Sequence, residues 1–334
     1  MPKISINDAL TLKDVVFLDV RSEKEFEEDH IPGAINMPIL NNEERHIVGY
    51  TYKQESKDKA YEIGYKIFDQ KISEFENLLR NYKDKEIIFY CFRGGMRSGC
   101  FVDYFLKKGL KVYQIEGGYK KYRELVRDEI KKAILPEKII VIYGLTGSGK
   151  TEIIKKLENA IDLEGLAKHR SSLFGGVGLK PNTQKMFETL LFNELKKNRD
   201  YLILEGESRK IGSIILPENV YNAMINAKKL AVTCSIESRA RRIVKDYFTN
   251  QEKIDEVKAI VPKLTERLSK KKVDELLTLL ENKNYFEFSK IMLKEYYDPL
   301  YTHYVKDFKF EKEVSSEDID EAVKIIDEFC KNIE

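Results

Sequence analysis

No apolar run in the 334 residues reaches the roughly 18 that a membrane-crossing helix needs, and the opening MPKISINDALTLKD lacks the apolar core of a signal peptide. These absences predict a cytoplasmic chain with no membrane partner. The four cysteines, Cys91, Cys100, Cys234 and Cys330, form no CxxC pair, and the four histidines are equally scattered. That excludes a disulfide framework and argues against a structural zinc site. Gly (18) and Pro (8) are sparse, while hydrophobic residues make up 42% and charged residues 34%, so neither disorder nor a fibrous repeat fits. No internal repeat is visible. The net charge of +2 neither demands nor excludes a nucleic-acid partner.

The chain is longer than one core usually supports, so two α/β domains are expected. In the first third, VVFLDV (15–20), EIIFYCF (86–92) and KVYQIEGG (111–118) read as parallel strands separated by amphipathic helices. Residues 41–68 fit this rhythm poorly and read as an insertion. A helix ends at Pro136 and KIIVIYG starts a fresh strand, which places a domain over 1–134 and a second α/β domain over 135–250. Further strands are expected at 201–206 and 229–236. From Asn250 onward no strand is evident, and 251–334 reads as a helical subdomain packed on the second domain.

Gly144-Leu145-Thr146-Gly147-Ser148-Gly149-Lys150-Thr151 satisfies GxxxxGK[ST], between an apolar strand and the helical TEIIKKLENA. The glycines let backbone N–H groups converge on phosphate oxygens, Lys150 reaches a phosphate, and Thr151 can ligate Mg²⁺. Gly144, Thr146, Gly147, Ser148, Gly149, Lys150 and Thr151 are therefore the expected polyphosphate binders. No metal ligand set is evident from spacing, and Mg²⁺ is a candidate rather than a firm implication. Glu205 closes the apolar run YLIL with Glu207 two residues on, either as metal- or water-organising carboxylates or as salt-bridged structural acids. Asp162, Glu164 and His169 lie in a polar stretch expected to line the same crevice, His169 being a candidate base.

Tyr90-Cys91-Phe92-Arg93-Gly94-Gly95-Met96-Arg97-Ser98 joins a strand to a helix. A cysteine there faces a ring of backbone N–H groups, and with Arg93 and Arg97 beside it, it reads as a nucleophile in an anion-cradling loop. Cys100, farther along the helix, reads as a packed residue.

Asp19-Val20-Arg21, the run from Asp29-His30-Ile31-Pro32-Gly33-Ala34 to Pro38, and Glu116-Gly117-Gly118 complete a resemblance to rhodanese domains over about residues 1–130. That resemblance implies a chalcogen-handling Cys91. Arg97 lies six residues after Cys91, one more than in many sulfurtransferases. The wider spacing looks like that of rhodanese-fold phosphatases, whose ring holds a tetrahedral anion.

Cys91 to Ser98 followed by the P-loop resembles the tRNA 2-selenouridine synthase family over nearly the whole chain. So do Asn42-Glu43-Glu44-Arg45, Asp162 to Arg170, and Glu205-Gly206-Glu207-Ser208-Arg209. The resemblance implies a transferase that replaces sulfur by selenium in wobble 2-thiouridine of tRNA. Selenophosphate is then the donor, and the route runs through an S-geranylated nucleoside made from geranyl diphosphate. Cys91, Arg93, Arg97 and Glu205 are the catalytic residues this reading favours, with the P-loop on the diphosphate. The alternatives are a rhodanese-fold phosphatase fused to a P-loop kinase, and a non-catalytic phosphate-sensing module. Residues 80–134 hold 14 basic against 7 acidic side chains, and with Arg239, Arg241 and Arg242 they are the expected tRNA contacts. Tyr296, Tyr297 and Tyr301 read either as base-stacking or as buried aromatics.

Overall fold

The computed structural model describes residues 1–333. The chain divides into two compact units, Met1–Lys132 with Glu188–Asn193, and Ala133–Phe187 with the residues from Glu194 onward.

The first unit is built on a five-stranded, all-parallel sheet. Its strands are β1 (Lys3–Ile4), β2 (Val15–Asp19), β3 (Ile35–Asn36), β4 (Glu86–Tyr90) and β5 (Val112–Ile115), in the order β1-β5-β4-β2-β3. The apolar runs VVFL and IIFY have both faces covered, as a parallel sheet requires, and all but Val15 are buried. Cys91 directly follows β4, the central strand, so the loop emerges at the carboxyl edge of the sheet, where open α/β sheets bind ligands.

Residues 41–68, expected as an insertion, belong to two helices, Asn42–Gln54 and Lys57–Leu79. The first starts on a capping box: the Glu44 N–H donates to Asn41 Oδ1 at 2.8 Å, and Glu44 Oε2 accepts the Asn41 N–H at 2.7 Å. Glu44 also pairs with Lys71, tying the helices together. Phe68 and Phe75 anchor the second helix, their rings 5.0 and 4.8 Å from that of Phe101. Each buried phenylalanine contributes about 1.5–3 kcal/mol.

The second unit carries another all-parallel sheet, β6 (Lys138–Gly144), β7 (Ala160–Ile161), β8 (Tyr201–Glu205), β11 (Lys228–Thr233) and β12 (Lys312–Ser315), in the order β12-β11-β6-β8-β7. A short hairpin pairs β9 (Lys210–Ile211) with β10 (Ile214–Ile215). The strand β12 corrects the expectation that nothing after Asn250 is extended. It is an edge strand reading KEVS, in which only Val314 is buried, too short to show a period-2 pattern. The rest of the C-terminal region is helical as expected, and Val257, Val261, Leu264, Leu276 and Leu280 share a separate apolar core there.

Candidate functional site

The first site is the Cys91 loop. Gly94 at φ +62° and Gly118 at φ +59° occupy the left-handed region. A Cβ on Gly118 would lie 2.3 Å from the Cys91 carbonyl and 2.4 Å from Gly94 N, so only glycine lets these segments touch. The Tyr119 N–H holds the Cys91 carbonyl at 2.9 Å. Gly95 caps the helix Met96–Lys107, whose N-terminus faces the thiol. The Gly95 N–H donates to Cys91 Sγ at 3.3 Å and Ser98 Oγ at 3.2 Å, two donors aimed at one sulfur. Gln114 Nε2 in turn donates to Ser98 Oγ at 2.8 Å and to the Gly95 carbonyl at 2.9 Å, fixing both. Neither Ser98 as a donor nor Gln114 is evident in the sequence, because Gln114 arrives from β5.

Arg93 is exposed and lines the cavity beside Cys91. Arg97 differs from expectation. Its guanidinium pairs with Glu25, Nη1 to Oε2 at 2.7 Å, and Arg45 Nε lies 3.7 Å from the same oxygen. Burial pushes Glu25 up, but the Arg97 hydrogen bond and charge, with the Ser22 N–H and the Arg45 charge, together outweigh it and hold the carboxyl below its usual range. The D-x-R and D-H-I-P-G-A segments serve the scaffold. Arg21 pairs with Asp19 at 2.5 Å, donates to the Asp29 carbonyl at 2.7 Å, and stacks 3.7 Å from the centre of the Tyr119 ring. Cys100 is half-buried and packs against the core, as expected.

The second site is the P-loop. Gly147 (φ +77°) and Gly149 (φ +86°) make the curl, and a Cβ on Gly147 would meet the Arg239 carbonyl at 2.9 Å. Lys150 opens the helix Lys150–Lys156, and its Nζ donates to the Gly144 carbonyl at 2.6 Å. A polar cavity of about 230 Å³ lies against Thr146, Gly147, Ser148, Gly149, Lys150 and Thr151, with Lys155, Arg170 and Arg242 at its walls. Four cations around converging amides suit a polyphosphate.

At its floor, Thr151 Oγ1 lies 3.2 Å from Glu205 Oε1 and 3.5 Å from Glu164 Oε2. Glu164, Glu205 and Glu207 bring carboxylate oxygens within 4.8 Å of one another, and Glu205 Oε2 is buried with no partner. Burial first, then the neighbouring carboxylates, pushes Glu205 up to about 8 and raises Glu164 and Glu207 as well. Buried acids crowded beside a P-loop threonine fit a divalent cation. Spacing alone does not reveal this set, since Glu164 comes from a helix 41 positions before Glu205.

Residues 137–332 match the family described as "tRNA 2-selenouridine synthase AAA domain", and residues 5–125 match the rhodanese-like domain. The chain belongs to the tRNA 2-selenouridine synthase family. A tRNA 2-selenouridine synthase of Nitrosomonas europaea is 37% identical over 262 residues, 74% of this chain and 68% of that relative. One from Sulfurovum sp. is 30% identical over 340 residues, 92% of this chain and 93% of the relative. A third, from Pseudomonas syringae, is 35% identical over 72% of this chain and 68% of its own length.

Measured against the expectations for a tRNA 2-selenouridine synthase family member, several polar residues prove structural. Asp162 caps a short helix by accepting the Gly165 N–H at 2.7 Å. His169 packs its ring between Gly175 and Gly212, away from the P-loop cavity, and burial lowers its pKa. The arginines assigned to tRNA need correction. Arg239 is buried, pairs with Asp298 at 2.5 Å and donates to the Thr146 carbonyl at 2.8 Å. Arg242 reaches the Gly147 and Ser316 carbonyls, whereas Arg241 is exposed. Tyr296 and Tyr297 pack against the helical core, and burial raises Tyr301, whose hydroxyl bonds the Gly144 backbone. No helix among the described residues is long and apolar enough to cross a membrane.

Proposed function

We propose that the chain exchanges sulfur for selenium in 2-thiouridine of tRNA through an S-geranylated intermediate. The observation that carries this reading is the pairing, on one chain, of a cysteine whose sulfur accepts two hydrogen bonds with a P-loop cavity walled by Lys150, Lys155, Arg170 and Arg242. Thioamide sulfur is a poor leaving group, and alkylation converts it into one that leaves as a thiol.

In the first half-reaction the P-loop amides, Lys150 and Arg242 hold the diphosphate of geranyl diphosphate. The thiouridine sulfur attacks the allylic carbon, the carbon–oxygen bond breaks, and diphosphate leaves with its charge neutralised. A divalent cation held by Thr151, Glu205, Glu164 and Glu207 would supply further charge neutralisation.

In the second half-reaction Cys91 Sγ, oriented by the Gly95 N–H and the Ser98 hydroxyl, attacks C2 of the S-geranyl nucleoside. The C2–S bond breaks and geranyl thiolate leaves, taking a proton. The selenium of selenophosphate, gripped through its phosphate by the loop and Arg93, then displaces Cys91 from C2. Water cleaves the P–Se bond, releasing phosphate and leaving C2=Se.

Incubating the protein with thiolated tRNA, geranyl diphosphate and selenophosphate, then weighing the digested nucleosides, tests both halves together. The expected products are S-geranyl-2-thiouridine and 2-selenouridine. Unchanged 2-thiouridine, or phosphate release from an aryl phosphate in its place, would overturn the assignment.

A further inference from the structure

Beside Cys91 lies a cavity of about 540 Å³, well inside the range of small-molecule sites. It is formed by the loop and the two helices Asn42–Gln54 and Lys57–Leu79. Its walls are largely apolar: Ile39, Leu40, Val48, Ala60 and the faces of Tyr61 and Tyr65. Tyr52, Tyr61, Tyr65, Phe92 and Met96 around it are each more than a third exposed, a concentration of apolar surface uncommon on a protein with no partner there. The charged residues of the lining are all cationic: Arg45, Lys53, Arg93 and Arg97. Selenophosphate, a small trianion, has no use for the apolar walls.

Two glycines deepen the hollow. Gly49 and Gly64 sit inside helices, where glycine costs about 1 kcal/mol relative to alanine, and both line the cavity. A Cβ on Gly64 would meet nothing within 4 Å. Neither a turn nor a positive φ calls for glycine at these positions, since neither is among the positive-φ residues. At Gly64 glycine leaves open space, and at Gly49 it makes room for the Arg45 guanidinium, which a Cβ would meet at 2.6 Å.

An occupant must therefore be apolar along its length, joined to an anionic body, and end at Cys91. We infer that this cavity seats the isoprenoid chain of the S-alkylated nucleoside, with the RNA phosphates at the cationic rim and the C–S bond to be broken at Cys91. The inference rests on the two-step reading above. It makes the cysteine unit recognise the alkyl group, so that untouched 2-thiouridine is passed over.

The test uses the full chain, selenophosphate, and anticodon stem-loop RNAs carrying S-methyl-, S-dimethylallyl- or S-geranyl-2-thiouridine, with 2-selenouridine read by mass. KM is expected to fall at least ~tenfold over the single five-carbon step from dimethylallyl to geranyl, given about 0.8 kcal/mol per buried methylene. Gly64→Phe fills the hollow and should erase the spread among the three RNAs. Gly64→Ala should keep the spread while raising Tm. Equal KM values across the wild-type series would overturn the inference without touching the two-step reading. So would a Gly64→Phe effect of the same size on all three RNAs, which would signify base stacking on the tyrosines. If the wild type converts none of the RNAs, the two-step reading itself fails and the inference with it. The chain-length series stands even if Gly64→Phe does not fold.

Discussion

Arg97 turns its guanidinium onto Glu25, 2.7 Å from Nη1 to Oε2, so the loop's second arginine is partly neutralised before any anion arrives. Removing that carboxylate should leave the ring more positive. Glu25→Gln is expected to lower KM for selenophosphate about fivefold, the equivalent of ~1 kcal/mol for one charge at short range in high dielectric. Initial rates at varied selenophosphate check it. An unchanged KM would mean that Arg97 does not face the bound anion.

On the proposed route, Lys150→Ala should abolish formation of S-geranyl-2-thiouridine, since Lys150 lines the P-loop cavity where that route puts the departing diphosphate. Selenation of tRNA supplied already geranylated should survive. Prenylation persisting in this variant would remove the diphosphate from the P-loop.

Cys91→Ser should invert that pattern. Geranylated tRNA is expected to accumulate and 2-selenouridine to fall below detection, because a serine hydroxyl is a far weaker nucleophile than the cysteine sulfur that Gly95 and Ser98 orient. Wild-type protein given S-geranyl RNA without selenophosphate should form a protein–RNA adduct, visible by mass, that Cys91→Ser lacks.

The carboxylates on the P-loop floor predict a pH signature. Burial and mutual repulsion raise Glu205 to about 8, so its folded form favours the proton. The stability this contributes is complete below the ordinary carboxylate range and is lost as pH rises through 8. A divalent cation reverses the cost by favouring the ionised form. The gain in Tm from Mg²⁺ should accordingly be at least twice as large at pH 8.5 as at pH 6.5, and Glu205→Gln should flatten it. Equal gains at both pH values would argue against a cation site.

Arg239 and Arg241 are two residues apart and face opposite fates. Arg241→Ala is expected to reduce the slope of log K for tRNA against log salt by about 0.7–0.9. Arg239→Ala, which breaks the pair with Asp298, should leave that slope unchanged and cost about 2 kcal/mol of stability, read as a fall in Tm. A changed slope in Arg239→Ala would return it to the tRNA surface.

What the sequence made legible was local. Cys91 with its glycines and Lys150 with its strand and helix are contiguous segments whose chemistry follows from a dozen residues each. The features that escaped were assembled from distant segments. Glu25 meets Arg97 across 72 positions, Gln114 comes from the neighbouring strand, and Arg239 is drawn to Asp298, which no periodicity announces. The 41–68 region reads as an insertion for a related reason. Residues that face the hollow, Gly49, Tyr52, Tyr61 and Gly64, interrupt the apolar positions of its helices, although Ala60, Phe68, Phe75 and Leu79 bury one face of the second.

The edge strand β12 bears on how the molecule is made. Its neighbour Ser316 donates to the Ser148 carbonyl at 2.6 Å and accepts from Arg242, so the phosphate loop is braced by residues translated some 170 codons after it. The cysteine unit draws nearly all its sheet and loop from the first 132 residues. On the ribosome the cysteine loop can therefore close long before the P-loop is braced. A nascent chain halted before β12 would carry a finished cysteine loop beside a P-loop still lacking the Ser316 contact.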